Sequence, residues 1–83
     1  MRPSLWIEST NRWDALALTR KLGCYRWFLV EPDAQHWDVY VTVEDPGDLP
    51  SELAQRVLEW LHERDLDNAT VHLADTELVL SRR

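Results

Sequence analysis

The chain of 83 residues contains one cysteine, two glycines and a single lysine. Cys24 has no second cysteine to bridge to. With no Cys-x-x-Cys and no adjacent histidine it reads as a buried, inert thiol rather than a redox or nucleophilic one. Gly23 and Gly47 are too few for a glycine-rich loop that cradles phosphate. Lys21 and eight scattered arginines face fifteen acidic residues, leaving a net charge of −6. Clustered cations, from which a polyanion binder gains its affinity, are therefore missing. No apolar run approaches the ~18 residues of a membrane span. The longest, Cys24 to Val30, is broken by Arg26. Only Leu5-Trp6-Ile7 separates the first four residues from Glu8, short of the roughly 7–15 apolar residues of a secretory signal. These absences point to one cytoplasmic domain over residues 1–83, with no membrane role.

Apolar residues make up 45% of the chain and charged residues 29%, a composition that folds. At this length only about 60–65% of the unfolded surface is buried, so the core is thin. Ser4–Glu8 alternates as a short strand. Asn11 is placed to cap a helix with Asp14 at its third position, ending near Leu22 with Gly23 as a C′ residue that tolerates positive φ. Tyr25–Val30 is β-branched and aromatic, 31–35 reads as a five-residue hairpin loop, and 36–44 alternates cleanly as a strand. After the Asp45-Pro46-Gly47-Asp48 turn, Asp48 or Ser51 can cap a second helix with Pro50 in its first turn. That helix gathers Leu53, Ala54, Val57, Leu58, Trp60 and Leu61 on one arc, and Glu52 and Arg56 form an i,i+4 pair on the other. Ala69–Leu73 and Thr76–Ser81 read as two more strands.

The order βαββαββ predicts an α+β fold. We expect a ferredoxin-like two-layer sandwich, βαββαβ plus a C-terminal extra strand, with an antiparallel sheet and both helices on one face. The expected strand order is fourth, first, third, second, with the last strand beside the fourth. Leu5, Ile7, Val39, Val41, Val43, Val71 and Leu73 face the helices. The loop length pairs Val30 with His36 and Arg26 with Tyr40. This register sends Tyr25, Trp27 and Leu29 inward and leaves Arg26 in water. The open face then carries Trp6, Cys24, Arg26, Phe28, Val30, His36, Asp38, Tyr40, Thr70 and His72. Three aromatic side chains there predict an exposed apolar patch larger than a monomer usually shows. In the first helix, Asp14, Ala17 and Lys21 form a narrow polar arc. Trp13 falls outside the sheet-facing stripe, so it either caps the rim of the core or makes a second contact.

Signatures of catalysis are missing. No Gly-x-Ser-x-Gly is present, and no nucleophile sits beside a base. The carboxylate pairs Glu44-Asp45 and Asp65/Asp67 fall in turns and strand ends. His36, Asp38, His62, His72 and Cys24 do not converge as metal ligands. No cofactor is expected. Trp6 and Tyr40 lie on the strands where RNA-recognition domains stack bases, with Arg26 alongside, but Glu8, Asp38 and Glu44 crowd the same region. Five tryptophans are a heavy load, and most read as core or rim filler. The reading is a non-catalytic domain that acts through protein contact, with a second copy or another protein on the open face. Its candidate interface residues are Trp6, Trp13, Arg26, Phe28, Asp38 and Tyr40, with Arg26 of one copy meeting Asp38 of the other. A small-ligand sensing module and a single-stranded nucleic-acid binder are the alternatives.

Overall fold

In the computed structural model all residues are described except 1–3, 24, 34, 46 and 83 and the side chain of Pro32. The expected thiol of Cys24 lies outside the described residues. Alternating apolar residues make β1 (Ser4–Ser9) a strand with Leu5 and Ile7 buried on one side. Asn11 then starts α1 (Arg12–Lys21): its Oδ1 accepts the Asp14 N–H at 2.8 Å. Next come β2 (Trp27–Asp33), β3 (His36–Thr42), α2 (Ser51–Glu63), β4 (Asn68–His72) and β5 (Glu77–Ser81). The five strands form one antiparallel sheet in the order β2-β3-β1-β4-β5. The molecule is thus an α+β fold with two helices. Leu5, Ile7, Val39, Val41 and Val71 from the sheet pack with Leu18, Leu22, Leu53, Val57, Trp60 and Leu61 from the helical layer.

Several sequence expectations are corrected. The hairpin loop is shorter than five residues, because β2 runs on through Glu31, Pro32 and Asp33 and Asp33 pairs with His36. Phe28, not Arg26, lies opposite Tyr40, and Val30 lies opposite Asp38. The register is displaced by two residues. An even displacement preserves which face each side chain takes, so Arg26 still points away from the helices and is exposed. A bulge between Val30 and Asp33 accommodates the extra residue, and Pro32 is tolerated because β2 is an edge strand. The edge position also explains Trp27, which is 41% exposed although it lies on the helix side. Strand β3 ends at Thr42 rather than 44.

Neither Asp48 nor Ser51 caps α2. Pro50 is the N-cap residue, and no side chain bonds there. Leu58, expected in the apolar arc, is exposed. Gly23 does not adopt positive φ; among the described residues the left-handed one is Asp65, with φ 56°. Asp65 follows the Arg64 C-cap of α2. The Leu66 N–H donates to the Leu61 carbonyl at 2.8 Å and the Asp65 N–H to that of His62 at 3.3 Å, a Schellman ending. Aspartate tolerates this conformation better than most non-glycine residues, and Arg82 Nη1 lies 2.6 Å from the Asp65 carboxylate and holds it below the usual carboxylate range.

Asp14 is the largest departure. Placed by periodicity on the polar arc of α1, it is buried. Its carboxylate accepts from Asn11 Nδ2 and Arg64 Nε, each at 2.8 Å, and its carbonyl accepts the Trp60 indole N–H at 2.8 Å. Asp14 thereby ties the start of α1 to the end of α2. Lys21 at the other end of α1 pairs with Glu63 at 2.6 Å, and its carbonyl accepts from Arg56 Nη1 at 3.0 Å.

Leu61 is fully buried, whereas His62 is exposed. Leu61→Asp is expected to abolish folding, since one unpaired buried carboxylate outweighs the stability of a domain of roughly 5–10 kcal/mol. His62→Asp is expected to melt near wild type. Thermal denaturation of the two variants checks the helix face, and equal melting temperatures would refute it.

Candidate functional site

The helices cover one face of the sheet and leave the other open. On the open face one cross-strand row is continuous. Phe28 lies opposite Tyr40, Tyr40 opposite Trp6, Trp6 opposite His72, and His72 opposite Glu77. Their rings are stacked. Phe28 and Tyr40 have centroids 4.9 Å apart at 9°, Tyr40 and Trp6 5.7 Å apart at 20°, and Trp6 and His72 3.6 Å apart at 6°. Coplanar rings need a wider separation to keep their edge carbons about 3.5 Å apart. The rings therefore stand on the sheet like books on a shelf, faces turned to one another and edges to solvent. This geometry reduces the expected patch: Trp6 and Tyr40 are half-buried, while Phe28, at the end of the row, is 50% exposed.

Charges flank the row asymmetrically. Arg26 lies two residues from Phe28 on one side, and among the described residues it makes no ion pair. Asp38 and Glu8 lie on the other side, directly opposite each other on β3 and β1. Like charges in that position repel. Asp38, expected to be available on the surface, is buried. Burial first, and then the Glu8 carboxylate, push its carboxyl above the usual range; His36 and His72 act weakly the other way. The His72 ring lies between two carboxylates, with Nδ1 3.4 Å from Glu77 and Nε2 3.3 Å from Glu8. Nε2 is buried and, among the described residues, makes no hydrogen bond; its approach to Glu8 is an ion pair only when the imidazole is protonated. His36 is turned instead to Asp33, whose carboxylate lies 2.9 Å from Nδ1, raises the imidazole's proton affinity and is itself held low.

The structure thus brings together Trp6, Arg26, Phe28, Asp38 and Tyr40, and adds His72 and Glu8 to the same surface. Trp13 is not among them. It stands on α1, 70% exposed, with the Arg12 guanidinium 5.9 Å from its ring. It does not cap the rim of the core. Among the described residues no group of three or more histidine, cysteine, aspartate or glutamate side chains is placed to hold a metal. Among the described residues no helix is long and apolar enough to cross a membrane. Away from the ring row, an open groove of about 630 Å³ lies between Tyr25 and Pro50 and is bordered by Glu44, Asp45 and Asp48.

Comparison with protein-family models, with curated proteins and with solved structures gives no match.

Asp38 yields a pH prediction. Its folded-state pKa is raised, so the folded protein binds this proton more readily than the unfolded chain. The charged form therefore costs stability at neutral pH, and the cost is relieved as pH falls through the raised value towards 3.8. Asp38→Asn is expected to raise the melting temperature at pH 7, because it removes a carboxylate whose charged form is disfavoured by burial and by Glu8. The gain should shrink towards pH 4. Melting curves at sub-micromolar concentration from pH 4 to 8 check this, and a gain independent of pH would refute it.

Proposed function

We propose that this domain is a non-catalytic contact module that self-associates through its open sheet face. The observation that carries the reading is the ring row with unlike charges on its two sides. A two-fold axis lying in the interface along the row sets the row against itself and reverses the strand direction. The Arg26 side of one copy then lies over the Asp38 and Glu8 side of the other. Asp38 is a desolvated carboxylate beside a like charge, and a guanidinium is the group its surroundings lack. The outward ring edges supply apolar area, and tryptophan and arginine are residues on which interfaces concentrate their energy.

The face sets the scale of affinity. Five strands about 4.8 Å apart and about 17 Å of strand length give on the order of 400 Å² of projected sheet per copy. Counted over both copies that is about 800 Å², below standard specific interfaces and in the range of weak, transient contacts, so association is expected to be weak and concentration-dependent. The strand order supports a finer architectural reading. Taken from β5 it runs fifth, fourth, first, third, second, consistent with a ferredoxin-like sandwich extended by one edge strand.

The nucleic-acid reading draws little support from the rings, since only the outer face of Phe28 is left unstacked. Bases stack on ring faces, and here the faces of Tyr40 and Trp6 are taken by their neighbours. With Glu8, Asp38 and Glu77 around the row, labelled single-stranded DNA or RNA is expected to show no binding tighter than about 10 µM at physiological salt. Fluorescence titration is the check; sub-micromolar affinity lost in Tyr40→Ala would revive that reading.

Multi-angle light scattering tests the contact itself. The wild type is expected to rise above 9.8 kDa as concentration increases. Trp6→Glu/Tyr40→Glu is expected to weaken association by at least about tenfold, since it removes apolar area and sets like charges across the axis. A mass unchanged between wild type and this variant at every concentration would overturn the reading.

A further inference from the structure

Strand β2 ends the sheet, and the directions of its backbone groups can be assigned. The Thr42 N–H donates to the Arg26 carbonyl at 2.9 Å, so Arg26 and Thr42 form a hydrogen-bonded pair. Such pairs alternate along an antiparallel ladder. Phe28–Tyr40 and Val30–Asp38 are then bonded pairs too, and Trp27 and Leu29 turn their N–H and carbonyl groups away from β3. In a trans peptide the N–H of Glu31 points opposite to the Val30 carbonyl, hence also outward. The edge presents the N–H groups of Trp27, Leu29 and Glu31 and the carbonyls of Trp27 and Leu29.

Edge strands are normally blunted by lysine, proline, bulges or short length. In β2 the bulge and Pro32 sit together at the hairpin end. The preceding stretch has neither device and carries exposed apolar side chains on both faces of the sheet: Trp27 on one, Phe28 and Val30 (36% exposed) on the other. The opposite edge, β5, is shorter, carries no aromatic residue, and has Ser81 already engaged in another interaction.

We infer that β2 pairs antiparallel with β2 of a second copy, on a two-fold axis normal to the sheet through Leu29. The outward groups are self-complementary in this register. The Leu29 N–H donates to the carbonyl of the partner's Leu29 and the reverse, and the Glu31 N–H donates to the carbonyl of the partner's Trp27 and the reverse. On the open face Phe28 meets the partner's Val30, covering the exposed end of the ring row. On the helix face the Trp27 indole N–H meets the carboxylate of the partner's Glu31. This interface is independent of the open-face contact, because it joins edges rather than faces.

Disulfide trapping reads the register. In a Cys24→Ser background, Phe28→Cys and Val30→Cys fall opposite each other across the axis in a non-hydrogen-bonded pair, with Cα atoms about 4.5 Å apart, within disulfide range. Under mild oxidation the double variant is expected to give covalent dimer about tenfold above either single-cysteine variant. Glu31→Pro removes one outward N–H and no bond to β3. It is expected to keep the monomer's circular dichroism while reducing the trapped fraction several-fold. As a second measurement, amide exchange at Trp27, Leu29 and Glu31 should slow about tenfold between dilute and concentrated wild type. Trapping should persist in Trp6→Glu/Tyr40→Glu, so failure of the open-face contact leaves this pairing standing, and failure here leaves that contact standing. Equal trapping in single and double variants, trapping of Leu78→Cys/Leu80→Cys on β5 instead, or no concentration-dependent protection at Leu29 would each overturn it.

Discussion

Asp14 is the point on which the helical layer turns. Its main-chain N–H and both carboxylate oxygens hold the start of α1 to Asn11 and Arg64, and its carbonyl takes the indole N–H of Trp60. A buried carboxylate is costly unless every lone pair finds a donor. Here the donors come from the capping residue and from the last turn of α2, so the charge is tolerated only when the two helices are docked in one arrangement. That docking fixes both helices over Leu5, Ile7, Val39, Val41 and Val71. With only two helices available, the opposite face of the sheet is left without a layer.

The bare face responds by packing on itself. Rings on adjacent strands are held at the strand spacing of about 4.8 Å, close to the offset-stacking distance of aromatic pairs. The register that aligns Phe28, Tyr40, Trp6 and His72 in one row therefore converts an exposed apolar surface into a laterally packed one. The consequence is selective. Apart from the outer face of Phe28, ring faces are withdrawn from ligands that need them, whereas ring edges and the charges beside the row remain for a surface of matching shape.

How much of this was legible depended on the distance over which each interaction acts. The period-two alternation of β3, the apolar arc of α2, the Asn11 cap and the Glu52–Arg56 pair at 3.1 Å are local, and residue spacing alone gives them. The sorting of the second strand's side chains also followed, because the register error was an even number of residues. The composition of Glu31-Pro32-Asp33 favours turns, yet an edge strand needs no donor from Pro32, and β2 runs through it. Asp14 was unreadable as a buried hub, since its donors Trp60 and Arg64 lie 46 and 50 residues away. The stacked row was equally hidden: which ring faces which follows from register across four strands, and no single segment records it.

Charge distribution sets the terms on which two such molecules meet. Lys21, Arg56, Arg64 and Arg82 are committed to carboxylates within the chain. Arg12 and Arg26, without ion pairs among the described residues, stand beside the exposed aromatic residues Trp13 and Phe28. At net −6, two copies repel at long range, but beyond about 8 Å that repulsion is screened at physiological salt. A guanidinium over the desolvated Asp38 would be screened far less. Net charge therefore disfavours indiscriminate association, and in the proposed self-association local complementarity would decide which orientation survives close approach. In a domain this small, two exposed arginines and the rings beside them are enough to give the surface a direction.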